Sequence, residues 1–323
     1  MSGREPDRLL AHLSREFFQV MNSADPFSAT MMGVPGFDSL VPDPSRRGSL
    51  GNAARFARIE HQLATIAVGE LSQDDRINHA VLGWLAWGAR SDLEHGLWEA
   101  NASAGGYVNP QSVAFQAIPT APLLDGEAVE GYRRRIGGLA EYFDSIAARY
   151  RQASSEGRQS TRSGVLQAVE QLDGHLAQPI SEDVLVAVRL PAASESDRAS
   201  IADLVESKVR PALCRLRACL VEELLPQARP DDRVGIRFVP GGEEGYRAAL
   251  RRNTTTELTA GEIHQIGLDR IASLEGEWSE LGSRVLGTSD VAEVRARLRD
   301  DPALRFSSGA EMVAVVTRAL ARA

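Results

Sequence analysis

Asp92, His95 and Glu99 follow one another at three- and four-residue spacing. On a helix that spacing puts a carboxylate, an imidazole and a second carboxylate on one face. Such residues can bind a divalent ion or line a polar cavity. A surface helix end with ordinary hydrogen bonding uses the same types. Ile77, Val81, Trp84 and Gly88 precede them on the same face, so the stripe turns from apolar to polar at Gly88. Leu82, Ala86, Ala89, Leu93 and Leu97 form a second apolar face. A helix from Asp75 to about Glu99, buried on two sides, would direct the triplet into a cavity, and Asp92, His95 and Glu99 are taken as cavity-lining. Gly83, Gly88 and Gly96 weaken that helix, each costing about 1 kcal/mol relative to alanine. No metal ligand set is assigned.

A second constellation comprises Tyr246, Arg251, Asn253, Thr254, Thr255 and Thr256. It falls at a break between two helices, where hydroxyls and a planar guanidinium can hold a peptide backbone or a carboxylate. The plain alternative is a hydrogen-bonded interhelix turn. His264 lies one residue from the apolar stripe Ile263, Ile266, Ile271 and Leu274, which suits a packed or surface histidine. Pro240-Gly241-Gly242 lacks the lysine and hydroxyl ending of a phosphate loop and reads as a turn. No GxSxG nucleophile elbow occurs. No catalytic residue is assigned.

These groups must be carried by helices. Leu9, Leu10, Leu13, Phe17 and Met21 recur at three and four residues, as do Tyr132, Ile136, Leu139, Phe143, Ile146 and Tyr150. Further stripes run through Val165, Val169, Leu172 and Leu176, then through Ile201, Leu204, Val205, Leu213, Leu216 and Leu220, with Pro211 predicting a kink or a fresh start. Breaks rich in Gly, Pro, Ser and Asp fall at 35–51, 102–111, 154–163, 190–196 and 227–233. Val234 to Val239 and Val184 to Leu190 suggest short strands. Thr259 with Glu262, and Ser308 with Glu311, fit the capping box. The class is mostly α. One helical region spans 1–323, with sub-lobes 1–190 and 197–323 as a possible division.

At 323 residues the chain can bury a proper core. Its net charge of −8 lacks any basic block, which argues against nucleic acid and against an anionic membrane surface. Lys208 is the single lysine among 36 basic residues, a usage attributed to a GC-rich genome. Cys214 and Cys219 point about 140° apart on a helix and read as reduced and structural. The charged first residues do not resemble a secretory signal, and no stretch is apolar enough to span a bilayer; a cytoplasmic location is expected.

The segment GYRAALRRNTTTELTAGEIHQIGL (Gly245 to Leu268) resembles the signature of the bacterial family DUF885. Ala24 to Gly33, Glu222 to Asp232, Val239 to Ile271 and Arg297 to Val313 resemble it in the same order. The departures are Asn253, where histidine is expected, and Ala260-Gly261, where Pro-Glu is expected. The resemblance implies gluzincin-like zinc peptidases, helical proteins of about twice this length with an interior channel and an HExxH helix in the C-terminal half. The residues after His12, His61, His79, His95, His175 and His264 are Leu, Gln, Ala, Gly, Leu and Gln, so the motif is absent. The chain therefore resembles the N-terminal half alone, a helical array forming one wall of a channel. Zinc is expected only in the absent C-terminal half, and no cofactor in this chain.

The expected partners are a peptide or small amide ligand and a complementary C-terminal half. The rival expectation is a non-catalytic helical binding or interaction protein. The apolar stripe Met312, Val313, Val316 and Leu320, with Val315 beside it, favours the severed half.

Overall fold

A computed structural model describes residues 5–103, 109–188 and 193–322, which fold almost entirely into helices. They divide into two units, Met1–Thr256 and Glu257–Ala323. The break at 190–196 lies inside the first unit and is described only in part.

The first unit opens with α1 (Glu5–Ala24) and the short α2 (Pro26–Met31), followed by α3 (Arg46–Leu63) and α4 (Gln73–His95). Leu10, Leu13, Phe17 and Val20 of α1 pack with Phe56, Ile59 and Leu63 of α3 and with Leu82 and Ala86 of α4. Ser45 starts α3 by accepting the Gly48 amide, so the helix begins inside the stretch expected to be a break. Gly48 is required there, because a Cβ would meet the Asp43 carboxyl carbon at 2.5 Å.

Next come α5 (Pro110–Ala117), the 30-residue α6 (Gly126–Ser155) and α7 (Arg162–Leu176). The α6 stripe Tyr132, Ile136, Leu139, Phe143, Ile146 and Tyr150 is wholly buried and forms the axis of the larger core. One helical run continues from α8 (Glu195–Leu204) through a π-helical turn, Val205–Val209, into α9 (Arg210–Ala218) and a second π-helical turn, Cys219–Leu224. Pro211 is accommodated just after the first wide turn, where the altered ladder relieves the clash between the ring and the preceding carbonyls. The run supplies Ile201, Val205, Leu213, Leu216 and Leu220 to the core. The last helix of the unit, α10 (Gly242–Thr254), packs on α4.

Neither expected strand forms among the described residues. Within Val234 to Val239 the chain makes a 3-10 turn at Ile236–Phe238. Val184 to Val188 is a turn in which the Asp183 carbonyl accepts the amides of Val186 and Ala187; Arg189 and Leu190 lie outside the described residues. A β-branched run forms a strand only beside another strand. The helical surroundings offer none, and the described residues contain one isolated bridge, Thr161 with Arg229.

The second unit holds α11 (Ala260–Leu286), α12 (Val291–Asp300) and α13 (Gly309–Leu320). The Thr259–Glu262 capping box forms in full. At α13, Ser308 accepts the Glu311 amide while the Glu311 carboxylate turns back to Ser307 instead, so that box is displaced by one residue. Within these three helices only Gly282 and Val294 are buried. They touch each other: a Cβ on Gly282 would lie 2.4 Å from Val294 Cγ2.

Candidate functional site

The end of α4 forms part of the wall of a cavity in the first unit. The helix stops at His95 because Gly96 adopts φ +52°, and the chain continues as a 3-10 turn, Leu97–Ala100. The expected extension to Glu99 therefore fails at Gly96. The change of path separates the triplet. Asp92 and His95 line a cavity of about 710 Å³, whereas Glu99, 3% exposed, is turned away from it.

Glu99 is enclosed by three guanidinium groups. It pairs with the buried Arg149, with Arg158 at 3.0 Å and with Arg46 at 3.5 Å. Arg149 also donates to the Pro44 carbonyl and to Ser49 Oγ, and Arg158 donates to the carbonyls of His95 and Gly96. Pro44, Ser49 and His95 all line the cavity. This buried cluster thus fixes the wall from behind, joining the loop before α3, the end of α4 and α6. Arg46 continues outward to Glu156, whose hydrogen bond holds the guanidinium above its ordinary pKa.

Three carboxylates line the cavity. Asp25 caps α2, accepting the Ser28 amide at 3.1 Å and Ser28 Oγ at 2.5 Å. Asp43 accepts the Ser45 amide at 2.9 Å. Asp92 forms an ion pair with Arg252 of α10, whose guanidinium burial holds below its ordinary pKa. Arg252 lies across Gly88, where a Cβ would come within 2.9 Å of its Cδ. The aromatic residues at the lining are the partly exposed Trp98 and the buried Phe27 and Tyr142. Phe27 and Tyr142 meet edge to face at 5.4 Å, and Arg149 lies over the Trp98 ring at 5.2 Å.

From α10 the cavity takes Gly245, Ala249 and Arg252, one helical face at i, i+4 and i+7. Tyr246, Arg251, Asn253, Thr254, Thr255 and Thr256 occupy other positions, and none is among the residues lining it. Tyr246 is 45% exposed. Arg251 stacks over Trp84 and Trp87, at 5.6 and 5.1 Å from their centroids. Asn253 Nδ2 donates to the Ala249 carbonyl, and Thr254 Oγ1 donates to that of Leu250. The Thr254 and Thr256 hydroxyls meet at 2.9 Å. Thr255 ends α10 in the left-handed region at φ +56°, its amide bonded to the Arg251 carbonyl. Arg252 was not singled out by the sequence reading; its signal was the small-residue face Gly245/Ala249 that brings it against α4.

Two further buried polar groups stand apart. Arg135, fully buried, donates to the carbonyls of Leu40 and Pro26 and to Thr30 Oγ1, and burial pushes its pKa down to about 10. Asp183, also fully buried, faces His175 Nε2 at 3.2 Å and Arg210 at 3.6 Å. Burial pushes the Asp183 carboxyl up, but His175, the Leu185 amide and the charge of Arg210 hold it below its ordinary value of 3.8.

Comparison with known proteins reports on the whole chain. The model of a family described as bacterial proteins of unknown function, DUF885, matches residues 26–323. No curated protein matches. Among solved structures, a crystal structure of a candidate lipoprotein from Colwellia psychrerythraea is similar to 98% of this chain, with a TM-score of 0.80 and 20% identity. At that identity the likeness carries the fold alone. The chain spans 58% of the length of that protein.

Proposed function

Because the chain belongs to the DUF885 family of bacterial proteins of unknown function, we propose that it supplies the substrate-binding part of a zinc-dependent peptidase or amide hydrolase and does not hydrolyse alone. The observation that carries this reading is the second unit. Its helices bury only Gly282 and Val294, while Ile266, Ile271, Val285, Val313, Val316 and Leu320 are each at least half exposed. Apolar surface of that extent marks an interaction site, and a complementary polypeptide carrying an HExxH helix is the occupant this reading assigns to it.

The residues present do not fit zinc. Among the described residues no three of His, Cys, Asp and Glu are grouped as metal ligands. Asp92 is paired with Arg252 and Glu99 with its arginines. In this reading zinc and the general base belong to the complementary polypeptide. This chain's own part is binding: a cavity of about 710 Å³ falls in the size range of small-molecule sites. In this reading Asn52, Asn101 and Arg252 hold the amide groups of a peptide or small amide. Arg251 and the turn from Asn253 to Thr256 position α10.

The test is to sequence the native locus through and beyond the Ala323 codon in all frames, with the neighbouring genes, and to co-express any HExxH-encoding stretch with this chain. Co-purification and zinc-dependent peptide hydrolysis, absent from either part alone, are the expected result. If no such stretch exists, or the pair assembles without hydrolysis, the hydrolase reading is overturned.

A further inference from the structure

The cavity is lined by more carboxylates than cations. Asp25, Asp43 and Asp92 face it, against Arg252 and His95. Asp92 and Arg252 satisfy each other. Among the described lining residues Asp25 and Asp43 face no cation of their own; each is held by donors of its own turn, Ser28 and Ser45, and Asp25 interacts with the charge of the buried Arg135, which is not on the lining. A carboxylate has about four acceptor sites, so both retain capacity toward a ligand.

The arginines nearest this wall stand behind it. Arg149, Arg158 and Arg46 form ion pairs with Glu99 and Glu156 and donate to the carbonyls of Pro44, His95 and Gly96. Arg135 donates to Leu40, Pro26 and Thr30. The same lining holds the partly exposed ring of Trp98, while Phe27 and Tyr142 are themselves buried. An apolar stem with a charged end suits such a lining, packing its methylenes on the Trp98 ring while its head reaches carboxylate oxygens.

We propose that this cavity selects ligands bearing a cationic group on an apolar stem, a lysine- or arginine-type side chain of a peptide or small amide. The proposal rests on the reading of the cavity as the ligand-binding wall. It names the class of substrate that reading left open.

The experiment uses the full chain and three probes of similar size: the Nα-acetyl amides of lysine, norleucine and glutamate. Each is titrated while the indole N–H of Trp98 is followed by NMR, with Trp278, which does not line the cavity, as the internal reference. The lysine probe should shift Trp98 with an affinity roughly tenfold above the norleucine probe, and the glutamate probe should bind weakest. Asp43→Asn and Asp25→Asn should each weaken the lysine probe about three- to tenfold and leave norleucine unchanged. Asparagine is also a good cap, so Asp25→Asn preserves α2, and melting curves of both variants report their folding.

Equal binding of lysine and norleucine overturns the charge selection and leaves the cavity as a binding site. Preference for glutamate overturns it in favour of Arg252 as the anchor. Failure of all three to shift Trp98 overturns both the selection and the binding-wall reading. Selective lysine binding without any HExxH partner in the locus upholds the selection and overturns the hydrolase reading alone.

Discussion

Glu99 shows how burial inverts the meaning of a charged residue. At 3% exposure it neutralises the buried Arg149 and contacts Arg158 and Arg46. Removing one partner from such a cluster leaves uncompensated charge in a poorly solvated place, at a cost of about 3–5 kcal/mol. Glu99→Gln should therefore lower the unfolding free energy by about 3 kcal/mol in urea titrations, and Glu99→Asp should recover part of it. An unchanged midpoint would show the cluster to be solvated. None of this was legible in the sequence, because positions 46, 149 and 158 acquire meaning only when α3, α6 and the turn after α4 converge. Asp92 and His95 were legible through helical spacing, which holds as far as Gly96 and no further.

Asp183 sets a pH dependence of known sign. Its carboxyl is held below its ordinary 3.8 in the folded protein despite burial, through His175, Leu185 and Arg210. A depressed carboxyl contributes stability that is fully present above its unfolded value and is lost as pH falls through the folded one. Wild-type stability should thus decline as pH drops below about 4. Asp183→Asn should be less stable at pH 7 and show a shallower decline from pH 5 to 3, measured by chemical denaturation at each pH. Parallel profiles would assign the acid sensitivity to other carboxylates.

Among the elements, α6 was fully legible and α4 only in part, for one reason. A strict three-four apolar stripe survives any packing arrangement, and every one of the six α6 residues is buried. Glycines do not declare their role: Gly83 and Gly88 remain inside α4, while Gly96 leaves it at φ +52°. The apolar runs at 184 and 234 were read as strands because β-branched content cannot reveal the absence of a partner strand. Close approach is equally hidden. At Gly245 a Cβ would meet Leu97 Cδ2 at 2.7 Å and His95 Cβ at 3.2 Å, so this glycine lets α10 settle against the end of α4. Gly245→Val should overpack that contact and cost about 1–3 kcal/mol. It should also displace Ala249 and Arg252 from the cavity, so that the lysine probe loses affinity even where the variant remains folded. Retained affinity with lowered stability would confine the effect to packing.

At the scale of the molecule, the two units differ in what holds them. The first has two cores, one gathered on α6 and one among α1, α3 and α4. In the three helices of the second only Gly282 and Val294 are buried, although α11 alone runs for 27 residues. Ordering a residue costs roughly 1–2 kcal/mol in backbone entropy, and burial of this kind offsets little of it. Local stability should follow burial. In hydrogen exchange the amides of α12 and α13 should therefore exchange at least about a hundredfold faster than those of central α6, and the protein should associate with itself as concentration rises. Val313→Asp combined with Val316→Lys, on the exposed face of α13, should abolish that association without altering protection in α6. A complementary polypeptide should do the same and, unlike the substitutions, raise protection in α11 and α13. Strong protection of α13 in a monomer would mean that its apolar face needs no partner, and would remove the main support for the proposed hydrolase reading.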